Sequence, residues 1–256
     1  MAQQFDKNMV VNTTLDLPDV KFYDIDQSPI RLYGIWREGE SYRRLPQEVA
    51  NTVSRGISKR CATTAGGRIR FVTDSLYVAI KVEYGECELS GKIPHTAMAG
   101  FDLYADGFYQ GQYILPSKFS GEDFESVVNI RGERKKRLVT INTPLYSELK
   151  HVYIGLSNDA EISHAPDYTY EKPVIFYGSS ITHGGVHPVP AQPTSRGLPA
   201  SLIQTSVVSA LVVSPKASSL WLSILRSKKC QHLFTITTTT HRTLTTFVKL
   251  MSECLR

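Results

Sequence analysis

Cysteine and tryptophan are scarce in this chain, with four and two among 256 residues. None of the cysteines forms a Cys-x-x-Cys pair, which excludes a disulfide scaffold or a cysteine-rich zinc module. Long apolar runs are missing too. The closest, Leu202–Val213, is interrupted by Gln204, Thr205, Ser206 and Ser209, so no membrane-spanning helix is expected. The N-terminus, MAQQFDKNMVVNTTLDLP, lacks a basic region followed by an apolar one. It does not read as a secretory signal, and a cytoplasmic protein is the expectation. Residues 186–256 lack aspartate and tyrosine altogether and hold one of the 17 glycines.

That last absence divides the chain. Residues 1–185 carry 21 basic and 23 acidic side chains, net −2; residues 186–256 carry 8 and 1, net +7. The formal charge of +5 therefore belongs to one segment, rich in Ser and Thr. A basic arm for nucleic acid or membrane would cluster its charges among aromatics. Here Lys and Arg are scattered and aromatics sparse (Trp221, Phe234, Phe247), so neither partner is expected.

The first 170 residues read as β-structure. Leu76, Val78, Ile80 and Val82 alternate with Tyr77, Ala79, Lys81 and Glu83, the period of a half-buried strand. Val152, Ile154 and Leu156 alternate likewise. Phe101–Tyr104 and Phe108–Ile114 flank Ala105-Asp106-Gly107, a hairpin signal. Val127–Ile130 and Leu138–Ile141 flank Arg131–Arg137 and predict a second hairpin. Arg31–Trp36 and Arg68–Val72 are further strands, and Pro46–Ser54, before Gly56, is one helix. Many short strands between turns predict an all-β sandwich. The basic run Arg131–Arg137 reads as a solvated tip or, alternatively, a phosphate patch. Cys61 and Cys87 read as buried small apolar groups.

After Ala165-Pro166-Asp167 the pattern changes. Pro173–Tyr177 is continuously apolar, as in a parallel-sheet strand buried on both faces. It runs into Gly178-Ser179-Ser180-Ile181-Thr182-His183-Gly184-Gly185. A serine at such a turn can present its Oγ beyond the strand end, where catalysis sits in open α/β sheets. Alternatively, the serines only cap a following helix.

The stretch Gly178–Thr182 resembles the first block of the SGNH (GDSL-like) hydrolases, with Ser179 in place of the usual Asp. It is similar to a subgroup of these esterases whose N-terminal β domain carries G-x-D-L-Y, here Gly100-Phe101-Asp102-Leu103-Tyr104. Tyr42–Pro46 and Thr64–Phe71 resemble the same domain. The resemblance spans roughly residues 20–185. It implies a β-sandwich over 1–170, then at 171–185 the first strand of an α/β, flavodoxin-like SGNH hydrolase domain. It further implies Ser180 as nucleophile and backbone oxyanion donor on a turn of Gly178, Ser179, Ile181 and Thr182. No metal or organic cofactor is implied. The expected substrate is a small-molecule or carbohydrate ester, an acetylated sugar foremost. A stand-alone sandwich that binds carbohydrate or a partner is the alternative.

The family also needs Gly and Asn oxyanion blocks and an Asp/His block, and none is legible after Gly185. His183, His187, His232 and His241 have no family context and read as solvent or packing residues. One base out of frame the picture changes. If a nucleotide is missing at Gly185, each Thr codon yields Tyr, His, Asn or Asp. Phe234–Arg242 then permits V-Y-D-Y-D-H-N-A-P, close to a block of this subgroup. Val186–Pro193 permits C-A-S-R-P-G-x-A, and Ser209–Val213 permits L-G-F-S-G. These blocks resemble the family in order and without gaps. Residues 186–256 are thus expected to be an out-of-frame, poorly ordered tail on a truncated, inactive chain. The strand at 174–177 is expected to lack its parallel neighbours.

Overall fold

The computed structural model describes residues 13–53 and 55–168, and the strands Val174–Gly178 and His232–Ile236. Four antiparallel strands form one sheet: β1 (Val20–Asp24), β11 (Ser147–Ser157), β6 (Tyr77–Cys87) and β9 (Phe124–Asn129), in that order. A second, six-stranded sheet runs β12 (Ile162–Ser163), β5 (Arg68–Thr73), β10 (Arg137–Asn142), β7 (Asp102–Ala105) and β8 (Phe108–Gln112). Its sixth strand, β2 (Arg31–Tyr33), pairs with β5 beside β12. The ribbon β3 (Trp36–Glu38) and β4 (Ser41–Arg43) stands apart from both sheets.

Alternation builds the core. Val78, Ile80 and Val82 of β6 and Val152, Ile154 and Leu156 of β11 are buried in one cluster with Ile69 and Phe71 of β5, Leu103 of β7 and Val139 and Ile141 of β10. Two sheets sharing one apolar layer are the expected sandwich. On the other face of the four-stranded sheet Gly155 leaves room for its neighbours. A Cβ there would lie 3.0 Å from both the Phe22 ring and Ala79 Cβ, so the glycine lets Phe22 lie across the central strands.

The first hairpin forms as expected, on Asp106 and Gly107 with φ of +50° and +81°. Positive φ at both central residues matches the strand twist, which is why Asp-Gly serves there. The second hairpin does not form. β9 pairs with β6 in one sheet and β10 inserts between β5 and β7 in the other, so Arg131–Arg137 crosses between sheets. Alternation shows that one face is buried but not which strand lies alongside. Leu76 precedes β6 and is 45% exposed rather than core. Gly34, at φ +77°, splits the expected strand 31–36 into β2 and β3.

The helix α1 (Gln47–Val53) begins after Pro46, as expected. A second helix, α2 (Arg55–Arg60), runs through Gly56, where only one helix ending before that glycine is expected from the sequence. Ile57 on α2 and Ala50 on α1 are fully buried, and that packing outweighs the low helix propensity of glycine. A short helix, α3 (His95–Met98), leads into β7.

Two strands complete the described chain. β13 (Val174–Gly178) pairs in parallel with β14 (His232–Ile236), Val174 opposite His232 and Gly178 opposite Ile236. β13 therefore has one parallel neighbour where none was expected. That neighbour is a strand inside the segment read as poorly ordered. Its sequence, His-Leu-Phe-Thr-Ile, is rich in residues that favour strands whatever frame produced it. Among the described residues no helix is long and apolar enough to cross a membrane.

Candidate functional site

The turn expected to carry the nucleophile follows β13 in sequence. Gly178 closes the strand, opposite Ile236 of β14, and the chain leaves the C-terminal end of a parallel pair. That end is where open parallel sheets place ligands. Ser179, Ser180, Ile181 and Thr182 lie outside the described residues, as do His183, His187 and His241. His232 is the first residue of β14.

Residues 164–168 lie over the outer face of the six-stranded sheet. Ile69 and Phe71 of β5 face the core, so Arg68 and Arg70 face outward. Outward arginines normally stand in water, yet these are only 8% and 5% exposed. The segment 164–168 covers them. Arg70 Nη1 donates to Pro166 O at 3.3 Å, and its guanidinium carbon lies 3.9 Å from the Tyr168 ring centroid and 5.4 Å from that of Tyr33. Arg68 Nη1 donates to Tyr168 Oη at 3.4 Å. Arg31 pairs with Asp167, and Ser28 Oγ lies 3.3 Å from His164 Nε2. A planar, weakly hydrated guanidinium is buried against aromatic faces in this way at lower cost than a compact, strongly hydrated ammonium.

The other family-like motifs hold the sandwich together. A Cβ on Gly100 would overlap the carbonyl oxygen of Thr96, so α3 can run this tightly into β7 only with glycine. Phe101 and Leu103 enter the core, and Asp102 is fully buried on the opposite face, accepting from Asn142 Nδ2 at 2.8 Å. Tyr104 lies beside Tyr109 across the hairpin, ring centroids 5.5 Å apart. In the Tyr42–Pro46 motif Arg44 is 1% exposed and donates to Arg60 O and Thr63 Oγ1. Burial pushes its guanidinium down to about 9, so it remains a cation at neutral pH. In the Thr64–Phe71 motif the Thr143 hydroxyl donates to Thr64 O at 2.6 Å and would collide with any Cβ on Gly67.

The basic run is solvent-facing over Arg131–Lys136, although it crosses between sheets and is not a hairpin tip. Three of its five cations are also matched: Arg134 pairs with Asp74 and Asp159, Lys136 with Glu161, and Arg137 with Asp106. A phosphate would have to displace these carboxylates, which argues against the second reading. Cys61 is buried and its thiol, raised by burial, donates to Ser58 O at 3.0 Å. Cys87 is half-buried against Ser147 Oγ. Among the described residues no three His, Cys, Asp or Glu side chains converge as metal ligands would.

Local sequence pattern assigns no role to Arg68 and Arg70, places Arg31 and Tyr33 only in a strand, and does not mark Tyr168. The available signal was two arginines alternating with core residues. Their partners lie about a hundred residues further on, which local pattern does not reveal.

Comparison with known proteins adds to this geometry. The GxDLY family model, described as the N-terminus of SGNH-hydrolase-type esterases, matches residues 20–162. A GDSL-like lipase from Bacteroides ovatus ATCC 8483 has a similar structure, with a TM-score of 0.71 and 22% identity over 84% of this chain and 64% of that one. The salicylyl-acyltransferase SsfX3 of a tetracycline biosynthetic pathway follows at 0.63 and 19%, covering 85% and 61%. At these identities the likeness is one of fold. The chain spans less than two thirds of either protein's length. No curated protein matches the chain.

Proposed function

Because the chain belongs to the SGNH-type esterases that open with a GxDLY domain, we propose that Ser180 is the nucleophile of an acyl-ester hydrolysis. The observation that carries this is the position of Gly178-Ser179-Ser180-Ile181-Thr182. It starts at the C-terminal end of a parallel strand, directly after a matched GxDLY domain. Ser180 Oγ attacks the ester carbonyl carbon, and a histidine of the hydrolase domain takes its proton. The Ser180 N–H, with further donors of that domain, holds the tetrahedral oxyanion. The alcohol leaves with the proton, and water then releases the acid from Ser180. An acylated sugar is the substrate class, by analogy with carbohydrate esterases that join a β domain to an SGNH domain.

The same reading has the frame change at Gly185. Its support is the composition break: no Asp or Tyr after residue 185, and blocks similar to the family's one base away. The chain as read then supplies the serine but neither the Gly and Asn oxyanion blocks nor an Asp/His block. Groups that act as a unit leave little rate when part of the unit is missing. Sequencing the codons for Gly184–Val186 tests the frame: if no frame there encodes the C-A-S-R-P-G block, the idea fails. Hydrolysis of p-nitrophenyl acetate tests the chemistry. The 256-residue chain is expected to match its Ser180→Ala variant, and the frame-restored protein to exceed its own. Ser180-dependent turnover by the chain as read would refute its inactivity. A frame-restored protein without Ser180-dependent turnover would refute the esterase.

A second reading, the sandwich as a carbohydrate- or partner-binding module, is favoured by its self-contained core and by exposed Phe108 and Tyr109 on one hairpin. Residues 1–170 would then be retained on polysaccharide columns, and free passage would exclude carbohydrate as the ligand.

A further inference from the structure

We propose that the outer face of the six-stranded sheet is the anchoring surface for the segment that leads to the nucleophile turn, with Arg70 as its latch. This rests on the reading of Ser180 given above. Five successive residues are tied down there. His164 meets Ser28, Ala165 is buried, Pro166 accepts from Arg70, Asp167 pairs with Arg31, and Tyr168 stacks on Arg70 while accepting from Arg68. The partners come from β2, β5 and the loop before β2, so the segment is held across two strands of the sheet.

Arg70 is the centre of this arrangement. Its guanidinium packs against the rings of both Tyr33 and Tyr168, which themselves meet edge to face at 4.6 Å. Among the described residues no carboxylate pairs with it, and the cation is stabilised by two π faces and one carbonyl. A buried charge held by aromatic rings loses much of that stabilisation when one ring leaves. The rings therefore resist separation, and the segment cannot lift away without exposing the stack. The geometry has a consequence downstream. β13 begins six residues after Tyr168. Six residues span at most roughly 20 Å, so a fixed Tyr168 bounds where the strand that precedes Ser180 can start.

Hydrogen exchange of the amides of Ala165, Asp167 and Tyr168 in the 256-residue chain tests the latch. Tyr168→Ala is expected to speed their exchange at least tenfold and to leave β5 and β10 unchanged. Tyr168→Phe keeps the stack and is expected to stay near the parent. Arg70→Lys keeps the charge but loses the planar face, and is expected to behave like Tyr168→Ala. Tyr168 sits on the segment rather than in the sheet, so its variants decide the question even if Arg70→Lys does not fold. Parent-like exchange in Tyr168→Ala overturns the proposal. The measurement does not involve Ser180, so the latch and the esterase reading fail separately.

Discussion

The buried guanidinium of Arg44 ends helix α2: its Nη2 lies 2.7 Å from the carbonyl oxygen of Arg60, the last residue of that helix. Nε of the same side chain approaches the same oxygen at 3.2 Å, and Nη2 also reaches Thr63 Oγ1 at 2.8 Å. A cation at a helix C-terminus satisfies otherwise unpaired carbonyls and opposes the negative end of the dipole.

Replacing Arg44 by Ala leaves a cavity and removes the charged donors from the Arg60 carbonyl, which keeps only the N–H and hydroxyl of Thr63. Arg44→Ala is expected to cost about 3 kcal/mol or more, read from the urea midpoint. Arg44→Lys offers a compact ammonium that cannot reproduce the forked contact, so it should recover only part of that loss. Full recovery by lysine would show that charge alone matters at this site.

Gly100 makes a second case. Its missing Cβ allows the carbonyl of Thr96 to close α3 directly against β7, where Gly100 N donates to Thr96 O at 3.0 Å. The obstacle to a side chain is backbone and cannot rotate away. Gly100→Ala should therefore destabilise by about 1–3 kcal/mol in thermal or urea unfolding. Gly91→Ala, where a Cβ meets nothing within 4 Å, is the control and should be near neutral. Equal effects would mean that the Thr96 contact has no energetic weight.

Glu125 supplies the pH dependence. Burial alone would raise its carboxyl, but the N–H of Thr14, the Thr13 hydroxyl and Lys81 outweigh burial and hold it below the usual range. The Thr14 amide lies 2.7 Å and the Thr13 hydroxyl 2.8 Å from Oε2, with Lys81 Nζ 3.2 Å from Oε1. A carboxylate depressed in the folded state stabilises above its unfolded value, near 4.3, and that stabilisation is lost as pH falls through the folded value. Glu125→Gln should thus be about 1–2 kcal/mol less stable than the parent at pH 7. The gap should narrow as the pH is lowered below the unfolded value of about 4.3, in melting curves recorded at neutral and acid pH. A gap independent of pH would assign the effect to packing.

Legibility differed between elements for identifiable reasons. The alternation in β6 and β11 announced a buried face, and Asp106-Gly107 announced its hairpin, because both signals are complete within a few residues. β9 and β10 each showed a buried face as well, but pairing is decided by which edges are free in the assembled sheets, so the expected hairpin became a crossover. α2 ran through Gly56 because the burial of Ile57 and the hold of Arg44 on Arg60 act across elements.

For the candidate site the division is sharper. The string Gly178-Ser179-Ser180-Ile181-Thr182 and the GxDLY motif are local, and the sequence by itself determined the family and its candidate nucleophile. The break in composition at Gly185 is equally a property of the sequence. Only the tertiary structure decided that Arg68 and Arg70 are buried, and that Tyr168 is what buries them. Side-chain direction along a strand follows from its period of two. What covers the outward face depends on segments far along the chain, and the packing of a guanidinium against two rings exists only once those segments meet.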